Sequence, residues 1–234
     1  MKKIVVSLGG SVLVPSLESN NISRYVSVLE RIARTCQIFI VVGGGGEARR
    51  YIRVAHDLGA GEAAADELGI LVTRLNARLL VTGLGDAAYP RVAENYTEAR
   101  EFAGTGKIVI MGGITPAQTT DAVSAVLAES IGADLLINAT SVDGIYSADP
   151  KKDASAVRHE QLTPEELLDI ITGARMSAGA NTVLDIVAGK VIERSGIPLL
   201  VLDGRDPENL YRAIVEGTFV GTIVSDTSSV PLPA

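Results

Sequence analysis

Apolar runs about five residues long alternate with amphipathic stretches along most of this chain. Ile38 to Val42 is continuous and short, and Ile4 to Leu8 is interrupted by Ser7 alone, the pattern of strands buried on both faces. Between them Ile22, Val26, Leu29, Ile32 and Ala33 recur at helical spacing after two candidate caps, Asn20 and Asn21. The three pieces make a βαβ unit. Helices are predicted over about Glu47 to Leu58 and Glu62 to Leu80. In the second, Leu68, Leu71, Val72, Leu75 and Leu79 form one apolar stripe, suited to the core or to a subunit contact. A short helix over Glu94 to Phe102 leads to a strand at Ile108 to Met111, a helix starting near Thr119, and a strand at Leu135 to Ala139. Asp143-Gly144 reads as the tight turn of a hairpin and Asp149-Pro150 as another turn. Helices over Pro164 to Ile171 and Val183 to Arg194, a strand at Pro198 to Leu202, a helix over Pro207 to Glu216 and a strand near Thr222 to Val224 complete the order. Residues 225–234 have no pattern and are predicted to be loose. The alternation predicts an α/β fold, a mainly parallel sheet with helices on both faces in three layers, as one domain over 1–234.

In such sheets ligands bind beyond the carboxyl ends of the strands, and here those ends carry small residues. Gly9, Gly10 and Ser11 follow the first strand, Gly43 to Gly46 the second, and Gly112 and Gly113 the third. The four-glycine run is the strongest signal. It stands where a strand becomes a helix, so free amides and the positive end of the helix dipole favour an anion, with phosphate the natural guest. Arg49, one turn on, would add a forked, permanently charged donor. Thr119, Thr120 and Asp121 open a further helix behind a loop stiffened by Pro116. Capping explains each of these singly, but not the glycine-proline loop before them.

Composition narrows the chemistry. The chain has 234 residues, 47% of them hydrophobic, and a net charge of −7, which argues against a nucleic-acid partner. Its single cysteine, Cys36, excludes an internal disulfide framework and suits a reducing compartment. No signal-peptide pattern precedes the first strand and no apolar run reaches bilayer-spanning length, so a cytoplasmic protein without membrane contact is expected. No GxxxxGK[ST] motif is present. The histidines, His56 and His159, accompany no serine or cysteine arrangement of a hydrolase. Gly43, Gly45 and Ala48 do satisfy a relaxed dinucleotide fingerprint, with Glu62 or Asp66 near the place of a ribose-binding acid. That reading leaves the loops at Gly112 and Thr140 without a purpose.

Four motifs in order carry a more specific resemblance: SLGGS at Ser7 to Ser11, VVGGGGEAR at Val41 to Arg49, MGGITPAQTTDA at Met111 to Ala122 and ATSVDGIYSADP at Ala139 to Pro150. Together they resemble the amino acid kinase superfamily over nearly the whole chain. The third motif, with the GGSVLVP start and the short length, is similar to its uridylate kinase branch in the archaeal form. The resemblance implies transfer of the γ-phosphoryl of MgATP to UMP in pyrimidine nucleotide synthesis. It implies that Ser7, Leu8, Gly9, Gly10, Ser11, Gly45 and Arg49 hold the ATP phosphates, and Thr140, Tyr146 and Asp149 the nucleoside half. It places UMP on Gly44, Asp66 and the loop of Ile114, Thr115, Pro116, Ala117, Gln118, Thr119 and Thr120. Arg49 and Asp121 are the implied catalytic pair, with no metal ligand assigned. About 1–139 would then serve UMP and phosphate and about 140–224 ATP. A homohexamer, as a trimer of dimers, and UTP as inhibitor are further implications.

Many relatives carry lysine where this chain has Ser7, and another basic residue in place of Asp185. Arg49, the amides of the glycine loops and Mg²⁺ would together replace that charge. Asp121 would organise either the helix start or the metal. Alternatives are a superfamily enzyme with another acceptor, such as isopentenyl phosphate or an acylamino acid, and a nucleotide sensor without turnover. The crowd of donors around Thr119 argues against the acylamino acid.

Overall fold

A computed structural model describes residues 1–148, 150, 153, 155–176 and 184–226, with only the backbone of 174–176. Asp149, the start of the helix expected at Val183 and most of the loose tail expected at 225–234 lie outside the described residues. Along the chain, β1 (Lys3–Leu8), α1 (Gly10–Leu13), α2 (Ile22–Ile32), β2 (Gln37–Val42), α3 (Gly45–Asp57) and α4 (Glu62–Leu84) are followed by α5 (Tyr96–Ala103), β3 (Val109–Met111), α6 (Thr120–Ile131) and β4 (Leu135–Thr140). Then come β5 (Gln161–Leu162), α7 (Pro164–Met176), α8 (Ile186–Ser195), β6 (Leu199–Asp203), α9 (Pro207–Tyr211) and β7 (Gly221–Val224).

The strands form one seven-stranded sheet in the order β3-β2-β1-β4-β6-β7-β5. The five strands from β3 to β6 are mutually parallel, whereas β7 runs antiparallel to β6 and carries the short β5. Side chains alternate across each strand, so the sheet separates two cores. Ile4, Val6, Leu8, Ile38 and Ile40 pack with Tyr25, Leu29, Leu80 and Leu210 on one face. Val5, Phe39, Val41 and Leu136 pack with Phe102, Leu127, Leu167 and Ile192 on the other. The three-layer arrangement follows directly from that alternation, because neither face of a central strand meets water.

Several boundaries differ from the sequence reading for definite reasons. The α3 helix begins at Gly45, so two of the four glycines lie inside its first turn. The α4 helix continues to Leu84, and its buried stripe is Ala65, Gly69, Val72, Asn76, Leu80 and Leu84. Of the predicted stripe only Val72 is buried; Leu68, Leu71 and Leu75 are exposed. By length and composition α4 is also apolar enough to cross a bilayer, contrary to expectation, but its inner face is packed into the domain core. Asp143-Gly144 does not turn a hairpin: β4 pairs only with β1 and β6, and Tyr146 makes a lone antiparallel bridge to Arg158. Asn21 does stand before α2, yet its side-chain amide donates to the Val12 carbonyl at 2.8 Å and ties down the segment after α1. The last predicted helix is α9 continued by a π-helical turn at Arg212–Glu216.

Candidate active site

Because β1, β2, β3 and β4 are parallel and adjacent, the loops after all four meet at one edge of the sheet. The amide of Gly9 donates to the Ala139 carbonyl at 3.0 Å, and that of Gly43 to the Leu8 carbonyl at 2.9 Å. The two glycine loops interlock. A Cβ on Gly10 would lie 2.3 Å from both the Gly43 oxygen and the Gly45 nitrogen, and Gly45 has φ +65°, a left-handed conformation that glycine adopts without steric cost. The run of glycines is therefore required first by backbone meeting backbone. The result is one extended anion cradle, since the first-turn amides of α3 lack intrahelical partners and point out of its N-terminus beside the Gly9–Ser11 turn. Gly44 precedes α3, and Gly45 opens it. Arg49 is exposed, four residues further along the same helix.

Alternation along β1 sends Ser7 to the same face as Val5, toward α6. There its hydroxyl donates to Asp121 Oδ1 at 2.8 Å. Burial pushes the Asp121 carboxyl up to about 6; the Ser7 hydrogen bond opposes this and the negative charge of Asp185 adds to it. Thr119 caps α6, accepting from the Ala122 amide at 3.1 Å, and its hydroxyl donates to Asp185. Asp185 in turn caps α8 through the amides of Val187 and Ala188. So Ser7, Asp121, Thr119 and Asp185 join β1, α6 and α8 at the cleft. Where a lysine at position 7 would neutralise two carboxylates, this chain has one hydroxyl.

Opposite this cluster, α4 lines the cleft. Asp66 accepts from the Ala117 amide at 2.8 Å and so holds the loop of Ile114 to Thr120, in which Ala117 has φ +63°. Within that loop the Thr115 hydroxyl donates to Gln118 at 3.0 Å, while Gln118 and Ala117 stay exposed. Three residues that the sequence reading did not single out support both loops from α4. Thr73 accepts from the Gly113 amide at 2.7 Å, Arg74 donates from Nε to the Gly113 carbonyl at 3.1 Å, and Asn76 donates to the carbonyls of Gly43 and Gly44. A signal existed for two of them: Thr73 and Asn76 are polar residues on the buried face of α4. Arg74 also pairs with Glu94.

On the β4 side the Thr140 carbonyl accepts from the Gly204 amide at 2.7 Å. Tyr146 lies further along, its hydroxyl donating to Asp143 at 3.0 Å, a bond that pushes the tyrosine pKa upward. Asp143 also pairs with Arg158 at 3.1 Å. Asp203, at the end of β6, is held low by its ion pair with Arg205. A groove of about 400 Å³ is lined by Ser147, His159, Gln161 and Glu166 and by none of the glycine-loop residues. The structure thus gathers Leu8 to Ser11, Gly44, Gly45, Ser7, Asp121 and Thr119 around one junction, with the Asp66–Ala117 contact on one flank and Thr140 on the other.

A family model described as "Amino acid kinase family" matches residues 2–203. The chain belongs to the amino acid kinase family. Among its relatives, a uridylate kinase of Methanoculleus marisnigri is 85% identical over all of both chains, and one of Methanospirillum hungatei is 59% identical over 100% of this chain and 99% of the relative. The crystal structure of the uridylate kinase from Archaeoglobus fulgidus superposes with a TM-score of 0.86 at 46% identity, covering 96% of this chain and all of that one. The UMP kinase from Ureaplasma parvum, at 22% identity and a TM-score of 0.81, shares the fold. The three-layer α/β fold expected from the strand–helix alternation, and the amino acid kinase likeness implied by the four motifs, are both borne out.

Proposed function

We propose that this chain is a UMP kinase, transferring the γ-phosphoryl group of MgATP to UMP to give UDP and ADP in pyrimidine nucleotide synthesis. The observation that carries the reading is the interlocked pair of glycine loops, Gly10 against Gly43 and Gly45, with the Asp66-held loop of Ile114 to Thr120 beside it. A glycine run shared between two phosphates would hold them close enough for direct transfer from one nucleotide to the other.

In this reading a phosphate oxygen of UMP attacks the γ-phosphorus of ATP, and the bond to the β,γ-bridging oxygen breaks as ADP leaves. Such a step asks the protein chiefly to align the two phosphates and to balance their charge. Ser7 to Ser11, Gly45 and Arg49 take the ATP phosphates, with Thr140, Tyr146 and Asp149 toward the nucleoside. Gly44 takes the UMP phosphate. One oxygen of Asp66 is already committed to Ala117, which leaves the other for a ribose hydroxyl. Ile114 to Thr120 close over the base. Mg²⁺ would enter with ATP as part of that substrate and would offset part of the charge of its phosphates. Arg49 supplies the mobile positive charge, while Asp121, tied to Ser7, fixes the floor of the site.

The exposed apolar side chains Leu68, Leu71 and Leu75 of α4, Tyr51 and Val54 of α3, and Leu58 just after it belong to two helices packed together; in this reading they would form the contact of a dimer within a hexamer. Residues 1–139 carry the acceptor and phosphate half of one domain and 140–224 the ATP half, in the cytoplasm, with UTP as inhibitor. UMP-dependent release of ADP from MgATP tests the activity; release that does not depend on UMP, or none at all, contradicts it.

A further inference from the structure

Asn76 is buried in α4 on a face shared with Ala65, Gly69, Val72, Thr73, Leu80 and Leu84, and a carboxamide is costly there unless its hydrogen bonds are made. Its Nδ2 group donates to the Gly43 carbonyl at 3.0 Å and to the Gly44 carbonyl at 3.3 Å. A trans peptide is planar, with its N–H opposed to its C=O. Drawing the Gly43 and Gly44 oxygens toward α4 therefore turns the amides of Gly44 and Gly45 the other way. Those are the amides on either side of the boundary between the acceptor and donor phosphates. Glycine has no side chain to restrict these planes; the Gly10 turn packs against Gly43 and Gly45, the Ala48 amide reaches the Gly44 carbonyl at 3.3 Å, and Asn76 adds the side-chain bonds from α4.

From this geometry we infer that Asn76 is a positioning residue for phosphoryl transfer: one side chain sets the directions of the Gly44 and Gly45 amides and thereby the alignment of the two phosphates. One helical turn earlier, Thr73 fixes the Gly113 amide at the base of the loop of Ile114 to Thr120. The same face of α4 therefore holds both loops in register. The inference rests on the UMP kinase reading for the identity of the phosphates, but the anchoring itself does not depend on it.

The test compares wild type with Asn76→Leu, which keeps the heavy-atom count and branching of the side chain and removes both N–H donors, and Asn76→Ser, which keeps one donor on a shorter side chain. Three measurements are made: thermal unfolding, steady-state ADP release with UMP, and calorimetric titration with UMP and with uridine. In folded variants kcat falls about 100-fold for Asn76→Leu, the usual penalty of a misplacement near 1 Å, and by an intermediate factor for Asn76→Ser. Affinity for UMP falls about tenfold, while affinity for uridine, which has no phosphate, is unchanged. A kcat within a few-fold of wild type in folded Asn76→Leu, or equal losses for UMP and uridine, overturns the inference. Should Asn76→Leu not fold, Asn76→Ser decides by the same two criteria. Should wild type lack UMP turnover, the proposed function fails instead, and the UMP-to-uridine comparison still decides the role of Asn76.

Discussion

The hydroxyl of Ser7 donates to Asp121 at 2.8 Å, joining the penultimate residue of β1 to the first turn of α6. A small neutral group thus serves a half-buried carboxylate, and the carboxyl is left with a pKa near 6. Stability should depend on pH in part through this residue. Its folded value lies above the ordinary 3.8, so the folded chain binds the proton more tightly than the unfolded one. The resulting stabilisation is complete below about pH 4 and is lost as pH rises through about 6. Urea unfolding of Asp121→Asn should therefore show a flatter profile than wild type between pH 4 and 6, the difference being on the order of 2 kcal/mol. Parallel profiles would remove Asp121 from the titration.

Ser7→Ala withdraws the one side-chain donor that lowers the Asp121 pKa. The carboxyl should titrate higher than in wild type, and the chain should lose about 1–2 kcal/mol at neutral pH, because a charge-assisted hydrogen bond at a buried oxygen is left unmade. Carboxyl titration followed by isotope-edited NMR distinguishes this from a general loosening, which would leave the Asp121 pKa in place.

Arg49 is exposed on α3 and lies outside both cores, so Arg49→Ala should leave the melting temperature within a degree or two of wild type. Loss of a charged donor aimed at the transferring group should lower kcat by about 100-fold or more. A decrease of only a few-fold would strip Arg49 of the catalytic role.

Asp66 has two tasks that different substitutions separate. Asp66→Asn keeps an oxygen able to accept from the Ala117 amide but gives up the charge, so KM for UMP should rise while the loop keeps its place. Asp66→Ala gives up both, and protease sensitivity within residues 114–120 should increase as well. Equal behaviour of the two variants would mean that the Ala117 contact has no bearing on the loop.

Leu71 and Leu75 stand on the outward face of α4, exposed in the isolated chain. A Leu71→Glu, Leu75→Glu double variant should shift sedimentation from the assembled species to monomer without unfolding. An unchanged sedimentation coefficient would place the subunit contact elsewhere.

The fold was legible because its signals are local. Ile4 to Leu8, Ile38 to Val42 and Ile108 to Met111 announce strands by short apolar runs, and the glycines after them announce the binding edge by position. The stripe on α4 was misread because its buried face uses small and polar residues, Ala65, Gly69, Thr73 and Asn76, which leave room for close helix packing and hydrogen bonds to the loops. Leucines, the louder signal, face outward. Likewise Asp143-Gly144 has the composition of a hairpin turn, but the bonds that hold it come from Arg158 and Thr222, distant in sequence. Site residues on loops could be named from their motifs. Those that anchor the loops lie on α4, 30 to 40 residues away from the carbonyls and amides they bind, and no local pattern links them.

The central claim is phosphoryl transfer to UMP, and a coupled assay of ADP release from MgATP addresses it most directly, with UMP, CMP, dUMP, isopentenyl phosphate, acetylglutamate or no acceptor. The account predicts turnover with UMP, little or none with isopentenyl phosphate and acetylglutamate, and none without acceptor. Turnover with isopentenyl phosphate in preference to UMP would contradict it. So would ATP binding without turnover on any acceptor, which would make Ser7, in place of the lysine carried by many relatives, the mark of a nucleotide sensor.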